Sequence, residues 1–253
     1  DAWWKSMTQL HENIVGIDAA IFMHPTVWKA SGHVDSFSDP MIDNKDSKKR
    51  YRVDHLIEAF AESLNKEAAD ALITQMDNLL AADDFAGIKK LIEDNKITCT
   101  ISKTCNWTDV RQFNLMFKTE FGAVASENPE DNMVYLRPET AQGIFVNFLN
   151  VQKTGRMKIP FGIAQTGKAF RNEIVARQFI FRMREFEQME MQYFIRPGSQ
   201  KQWYEFWKAE RKTWLENMGI PTTKLRDHVH VKLAHYADAA VDIENEFPFG
   251  WKE

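Results

Sequence analysis

Three arginines, a glutamate and a phenylalanine lie close together in one stretch of the sequence, and their side chains suit the chemistry of a nucleotide. Arg171, Arg182 and Arg184 offer planar guanidinium groups that can bind phosphate oxygens in pairs. The ring of Phe186 can stack on a base, and Glu173 can accept a hydrogen bond from an exocyclic amine. The sequence contains no glycine-rich phosphate loop, so we expect side chains on a sheet to hold the phosphates.

Two predicted strands would position these groups. In the first strand, residues 163–173, every second side chain shares the face that ends with Arg171 and Glu173. In the second strand, residues 181–195, the even positions form a polar row: Arg182, Arg184, Phe186, Gln188, Glu190 and Gln192. The odd positions predict a core face, and they include Met183, Met189, Met191, Tyr193 and Ile195. The polar row is either a binding site or an exposed sheet face with cross-strand ion pairs, and the residues alone favour neither.

Apolar residues at three- and four-residue spacing predict helices ahead of this sheet. From His55 to about Asn95 the spacing predicts a helical insertion with a break at Asp83-Asp84. A further helix is predicted through Val110, Phe113 and Phe117.

Residues 133–140 predict a short strand followed by the start of a helix. Pro138 suits the first helical position, which would place Glu139 and Thr140 in the first turn. On these residues alone, Glu139 is best explained as a favourable charge at the positive end of the helix dipole.

Composition excludes several classes of protein. The chain has 253 residues and a net charge of −4, with no apolar run near the roughly 18 residues that span a bilayer. Cys99 and Cys105 cannot form a disulfide framework, and their spacing does not match a zinc site, so we expect a cytoplasmic protein without a bound metal. The acidic total argues against a dedicated nucleic-acid binder. However, residues 151–184 carry eight basic residues against one acid, which predicts a concentrated anion-binding site.

Three other patterns have simpler explanations than a binding site. His228, His230 and His235 are interpreted as polar residues flanking a helix from Leu233 to Ile243 rather than as metal ligands. The run Lys48-Lys49-Arg50 predicts a solvated turn, with contact to a nucleic acid as the less favoured alternative. A packed amphipathic helix explains the following residues better than a base-stacking platform does: Trp203, Trp207, Arg211 and Trp214.

Several segments resemble a known family. The run from Phe170 to Ile174, the loop through Arg177 and the run from Phe181 to Glu190 resemble motif 2 of class II aminoacyl-tRNA synthetases, specifically the homodimeric glycyl-tRNA synthetases. The segment from Leu136 to Phe145 resembles that family's substrate-binding segment. Similar matches to the family's N-terminal catalytic segments lie at Lys29–Asp35 and Tyr51–Leu56, and Trp3-Trp4 would end the motif 1 helix of the dimer interface.

This resemblance implies an α/β (α+β) fold, a class II synthetase-like antiparallel sheet flanked by helices, and a set of site residues. Arg171 would hold the α-phosphate of ATP as the catalytic residue. The implied ATP-binding residues are Arg171, Asn172, Glu173, Phe181, Arg182, Met183, Arg184, Glu185 and Phe186. The implied glycine-binding residues are Arg52, Glu139, Phe186, Glu187, Gln188, Met189 and Glu190. The alternation of the second strand favours Glu190 over Glu187 as a glycine-binding acid.

The resemblance also implies an incomplete catalytic domain. Residues 1–58 and 97–253 would form the core and residues 59–96 the helical insertion, whereas most of motif 1 and all of motif 3 would lie outside the chain. We therefore expect a glycine-tRNA ligase that uses glycine, ATP with Mg²⁺ and tRNA(Gly) as a cytoplasmic homodimer, and we expect this chain alone to be inactive. The alternatives are a different class II synthetase and a noncatalytic synthetase-like fragment that serves as an RNA-binding or interaction module.

Overall fold

The computed structural model describes residues 1–122, 132–174, 180–231, 233–234 and 236–253. Arg177 and His235 therefore lie outside the described residues. The chain divides into two compact units, the first formed by Asp1–Asn150 and Ile163–Gln192 and the second by Val151–Gly162 and Tyr193–Glu253. In the described part of the chain, no helix is both long and apolar enough to cross a membrane.

The described residues form a mixed α/β fold with antiparallel sheets, as the sequence predicted. The helices are α1 (Ala2–Gln9), α2 (Pro25–Ala30), α3 (His33–Ser36), α4 (Val53–Ala61), α5 (Lys66–Ala81), α6 (Phe85–Asp94), α7 (Ala141–Thr154) and α8 (Gln200–Asn217). The strands are β1 (Ile14–Gly16), β2 (Phe22–Met23), β3 (Ser38–Asp43), β4 (Arg50–Arg52), β5 (Arg111–Asn114), β6 (Lys118–Glu120), β7 (Met133–Leu136), β8 (Phe161–Phe170), β9 (Glu185–Phe194), β10 (Leu225–Val229), β11 (Val241–Phe247) and β12 (Gly250–Lys252). The strand orders are β1-β8-β9, β2-β7-β6, β4-β3-β5 and β10-β11-β12.

The predicted helices between residues 55 and 95 are confirmed as α4, α5 and α6. The side chain of Asn65 accepts a hydrogen bond from the N–H of Ala68 and begins α5. Asp84 accepts one from the N–H of Gly87 at 2.8 Å and begins α6, so the break at Asp83-Asp84 is confirmed.

The three helices share one hydrophobic core with the neighbouring strands. The buried members of this core run from Ile42 on β3 to Val110, just before β5. Trp107 is fully enclosed in it, and its Nε1–H donates to the carbonyl oxygen of Ile97 at 2.9 Å. Burying an aromatic ring of this size contributes a few kcal/mol to stability, of the order of 3 to 5 kcal/mol when a tryptophan is truncated.

The predicted helix through Val110, Phe113 and Phe117 is wrong. Arg111–Asn114 form strand β5, which pairs antiparallel with β3. The apolar spacing suits a helix, but β3 offers backbone donors and acceptors that a strand can satisfy directly.

The prediction that Pro138 begins a helix is also wrong, since α7 begins at Ala141. The carbonyl oxygen of Arg137 accepts from the N–H of Phe170 at 2.9 Å, and that of Pro138 accepts from Nε of Arg171 at 3.2 Å. The backbone ahead of α7 is therefore hydrogen-bonded to β8 and to Arg171, the residue that follows β8.

The two faces of β9 differ from the prediction. Met183 and Met189 are 41% and 56% exposed, so this part of the odd face is not a core face, whereas Met191, Tyr193 and Ile195 are half-buried as predicted. The even positions Phe186, Gln188 and Glu190 are half-buried as well. Alternation in the sequence predicts two distinct faces, but only the neighbouring segments decide which face is covered.

In the second unit, α8 confirms the predicted amphipathic helix. The ring of Tyr193 packs against Trp203 and Trp207, with centroid distances of 4.7 and 5.1 Å. The predicted helix from Leu233 to Ile243 is wrong, because Val241–Phe247 form β11, which pairs with β10. His228 on β10 lies 3.5 Å from Glu244 of β11, and His230, just after β10, lies 2.7 Å from Asp242 of β11.

Candidate functional site

A buried arginine holds the segment that leads into α7. Arg137 is 3% exposed, and its guanidinium donates to the carbonyl oxygens of Lys168 and Ala19, each at 2.7 Å. Burial lowers the pKa of Arg137 from its usual value, and the two carbonyl oxygens accept from Nε and Nη1 of the buried guanidinium. The arginine thereby connects the start of this segment to β8.

Gly167 leaves the room that this guanidinium occupies. A Cβ at position 167 would lie 2.3 Å from Nη2 of Arg137. We expect Gly167→Ala to lower the free energy of unfolding by about 1–3 kcal/mol, because a guanidinium bonded on two sides cannot move aside freely. Denaturant unfolding of this variant, beside Thr166→Ala at an exposed position of the same strand, would measure the difference. Equal stability of the two variants would contradict the steric role of Gly167.

The carboxylate of Glu139 is bonded to two side chains, an imidazole and an amide, rather than to solvent. Its Oε1 lies 3.3 Å from Nε2 of His33 and accepts from Nε2 of Gln142 at 2.7 Å. The hydrogen bond from His33 is the main cause that lowers the pKa of Glu139, with smaller contributions from Gln142 and the charge of Arg171. Burial opposes this shift. Glu139 is therefore an ionised carboxylate near neutral pH.

His33 is itself fixed on three sides. Its ring packs between Trp28 and Phe37, with centroid distances of 5.6 and 5.2 Å. Its Nδ1 lies 2.8 Å from Oγ of Ser31. A carboxylate can only accept, so Nε2 of His33 carries the proton toward Glu139, and in the neutral imidazole the hydroxyl of Ser31 donates to Nδ1.

Thr140 joins the same segment to the even face of β9. Its backbone N–H donates to Oε1 of Gln188 at 3.0 Å. Its hydroxyl donates to Oε2 of Glu190, and the other carboxylate oxygen accepts from Nε2 of Gln192 at 2.6 Å. Two acids, Glu139 and Glu190, therefore line this part of the first unit.

Arg171 lies between two aromatic rings. Its Cζ is 5.5 Å from the ring centroid of Phe37 and 5.3 Å from that of Phe186. The backbone N–H of Arg171 donates to the carbonyl oxygen of Arg184 at 3.0 Å. The contacts with the two rings orient the guanidinium in a cation–π sandwich. Phe186 contacts Arg171 through the face of its ring.

The other arginines of the predicted site surround Glu173. Nε of Arg184 donates to the carbonyl oxygen of Glu173 at 2.8 Å, and Nε of Arg182 lies 3.8 Å from its carboxylate. Glu173 and Arg182 line a cavity of about 270 Å³ together with Arg52 and Asp39. The cavity thus has cationic and anionic walls, which suits a ligand that carries both phosphates and an amine.

Arg52 is paired with two acids. Its Nη1 lies 3.2 Å from Asp39, and its Nε donates to Asp54 at 3.0 Å with a second contact from Nη2. The hydrogen bonds with Asp54 are the main cause that raises the pKa of Arg52. A carboxylate ligand at Arg52 would therefore share this guanidinium with Asp39 and Asp54.

The remaining predicted residues lie elsewhere. Glu185 and Glu187 share the exposed face of β9 with Met189, and Lys168 lies 3.1 Å from Glu185 and 4.0 Å from Glu187. The sequence offered cross-strand ion pairs as an alternative for the even face, whereas these pairs lie on the odd face. Phe181 and Met183 are exposed, and the N–H of Asn172 donates to the carbonyl oxygen of Leu115 at 2.8 Å.

Sequence reasoning missed several residues of the site. His33 lies in a segment quoted for the resemblance, but no role was assigned to it, and the acids that bind Arg52 were not considered. No pattern in the sequence marks Phe37 or Thr140 as a site residue by itself.

Among the described residues, no group of three or more histidine, cysteine or acidic side chains could hold a metal ion.

Two family models match the chain. The model described as "Glycyl-tRNA synthetase insertion domain 1" matches residues 39–71 and 63–115, a range that includes the predicted helical insertion. The model described as "tRNA synthetase class II core domain (G, H, P, S and T)" matches residues 117–249, which is more than half of the chain. The chain therefore belongs to the class II tRNA synthetase family.

Curated relatives indicate the particular member of that class. A glycine–tRNA ligase of Chlorobaculum tepidum is 54% identical over 259 residues, which cover 100% of this chain and 54% of the relative. Glycine–tRNA ligases of Macrococcus caseolyticus and Staphylococcus aureus are each 52% identical over 256 residues, again 100% of this chain and 52% of the relative. The chain thus spans about half the length of the curated relatives it matches.

Proposed function

We propose that this chain forms the ATP- and glycine-binding part of a glycine-tRNA ligase. The observation that carries the proposal is the arrangement around the segment 137–140: Arg171 lies between two rings, and Glu139 and Glu190 lie on the two sides of Thr140. A cation for a phosphate and two acids for an ammonium group are the groups that glycine activation needs. The names of the relatives support glycine as the amino acid.

In the proposed reaction, one oxygen of the glycine carboxylate attacks the α-phosphorus of ATP. The bond to the β-phosphate oxygen breaks, and pyrophosphate leaves with that bonding pair. Arg171 would offset the negative charge that develops on the α-phosphate, and Glu139 and Glu190 would accept hydrogen bonds from the glycine ammonium group. ATP would enter as its Mg²⁺ complex, with the ion held mainly by phosphate oxygens and water.

In the second step, the terminal ribose hydroxyl of tRNA(Gly) would attack the carbonyl carbon of glycyl-adenylate, and AMP would leave. We propose this step for the complete protein. We also propose that the complete protein is a homodimer and is cytoplasmic. Its catalytic core would comprise residues 1–58 and 97–253, with residues 59–96 as an insertion.

In the ATP site, Phe186 would stack on adenine and Glu173 would accept a hydrogen bond from the adenine amine. The remaining proposed ATP contacts are Asn172, Phe181, Arg182, Met183, Arg184 and Glu185, and the remaining proposed glycine contacts are Arg52, Gln188 and Met189. The resemblance also implied Glu187, but this side chain lies on the exposed face of β9, so we do not propose it as a glycine contact.

The test of this function is glycine-dependent exchange of pyrophosphate into ATP by the full-length protein. We expect exchange with glycine and none with alanine or serine. Exchange with serine alone would indicate another class II synthetase. Exchange with none of the three amino acids would favour the alternative function, a noncatalytic RNA-binding or interaction module. Filter retention of tRNA would then measure whether the protein binds tRNA without catalysing exchange.

The pH dependence of glycine use should depend on His33. In His33→Phe the ring packing is kept but the hydrogen bond to Glu139 is lost. The pKa of Glu139 should then rise, because burial is no longer opposed by that bond. A carboxylate with a lowered pKa keeps its charge as the pH falls and loses it only below that pKa. Because the pKa of Glu139 is higher in the variant, the rise in KM for glycine should begin at a higher pH there.

Pyrophosphate exchange at a series of glycine concentrations between about pH 5 and pH 8 would measure this shift. His228→Phe, a matched histidine variant in the second unit, should have the wild-type profile. An unchanged acid limb in His33→Phe would show that His33 does not control the charge of Glu139.

A further inference from the structure

Thr140 makes two contacts with side chains that the proposed function assigns to glycine. Its backbone N–H donates to Gln188, and its hydroxyl donates to Glu190. Both acceptors project from the even face of β9, whereas Thr140 precedes the first residue of α7. Two segments that are far apart in the sequence are thus joined at one residue.

The burial of Thr140 makes these bonds obligatory. Its side chain is 0% exposed, so water cannot replace the partner of its hydroxyl. A buried hydroxyl without a partner costs free energy, and the half-buried carboxylate of Glu190 would lose a donor. The carboxylate of Glu190 therefore has one strongly preferred orientation while Thr140 donates to it.

The carboxylate of Glu190 is bonded on both of its oxygens. Gln192 donates to Oε1 at 2.6 Å and Thr140 donates to Oε2. Each carboxylate oxygen can accept two hydrogen bonds, so one acceptor position on each oxygen stays open for a ligand. The preceding residue, Glu139, differs, because His33 and Gln142 both contact its Oε1. Thr140 therefore sets the separation between the two acids.

We propose that Thr140 is a positioning residue for the amino-acid substrate, acting through Glu190 and Gln188. This inference rests on the proposed function and gives a role to Thr140, which lies in the segment that resembles the family's substrate-binding segment but is not one of the implied site residues. Thr140 orients the acids that receive the ammonium group and does not itself contact the phosphates. Its loss should therefore weaken the use of glycine and leave the use of ATP unchanged.

The test compares two substitutions in the full-length protein. Thr140→Val keeps the shape of the side chain and removes the hydroxyl, whereas Thr140→Ser keeps the hydroxyl. We expect Thr140→Val to raise KM for glycine about 10- to 100-fold, the usual effect of losing a hydrogen bond to a charged group. KM for ATP at saturating glycine should stay near the wild-type value, and the melting temperature should fall by only a few degrees because one buried hydrogen bond is lost. Thr140→Ser should restore KM for glycine to within about threefold.

Several results would overturn the proposal. An unchanged KM for glycine in Thr140→Val would contradict it. An equal increase in KM for glycine in Thr140→Val and Thr140→Ser would also contradict it, because a packing role of the side chain would then explain the effect. If the valine variant is unstable, Thr140→Cys offers a similar shape with a weaker donor and should give the same direction of change. Absence of glycine-dependent exchange in the wild-type protein would instead contradict the proposed function, so the two failures are distinguishable.

The route through Glu190 has its own check. In a double variant with Glu190→Ala, Thr140→Val should add little to the increase in KM for glycine, because the carboxylate that Thr140 orients is already absent. Independent, fully additive increases would contradict action through Glu190.

Discussion

Replacing Arg171 with alanine should reduce glycine-dependent pyrophosphate exchange by at least about 100- to 1000-fold in the full-length protein, the usual effect of removing a group that stabilises developing charge. The guanidinium lies between Phe37 and Phe186, so it is oriented before any ligand arrives. A group that is already oriented loses little free energy when the reaction develops charge, and its removal is correspondingly costly.

Two comparison variants make this result specific. Arg171→Lys keeps the charge but loses the planar fork and the stacking on both rings, so it should recover only part of the activity. Arg111→Ala, at an exposed position of β5, should retain wild-type exchange. Near-normal exchange by Arg171→Ala would exclude the proposed phosphate contact.

Replacing Glu139 with glutamine should raise KM for glycine by about 10- to 100-fold, because an ammonium group loses a charged acceptor. The glutamine has nearly the same shape and can still accept from Gln142, so the fold should be retained. Exchange kinetics with glycine as the varied substrate would measure the change, and thermal unfolding would confirm that the protein is folded.

Glu187→Gln is the matched control for this prediction. Glu187 was assigned to glycine by resemblance, but it lies on the exposed face of β9 near Lys168. We expect its replacement to change KM for glycine less than twofold, since surface ion pairs contribute little. A larger effect for Glu187→Gln than for Glu139→Gln would reverse the proposed order of the acids.

Much of the fold follows from local patterns in the sequence. The helices α4, α5 and α6 were predicted because their apolar residues recur at helical spacing and Asp83-Asp84 marks a break between α5 and α6. Helical spacing also predicted α8, and residues 133–136 were predicted as a short strand. These elements carry their own signal, so no knowledge of their neighbours was needed.

The errors arose where distant partners decide the local structure. Phe113 has helical spacing, yet the segment is a strand because it pairs with β3. Pro138 suits a helix start, yet its carbonyl oxygen accepts from Arg171. The site shows the same limit, since Phe37 and Thr140 acquire their contacts with Arg171 and Glu190 only after the chain has folded. Spacing within one segment contains no information about such partners.

The single core from Ile42 to Val110 limits how this enzyme family could be shortened. Arg52 is the last residue of β4, and α4 begins at the next residue, Val53, which is fully buried in that core. Excising α5 and α6 to obtain a minimal protein would open the core around Trp107 and loosen the support of Arg52 and its paired acids. A smaller version of this protein would therefore need a redesigned apolar cover for β3 and α4, not merely a shorter loop.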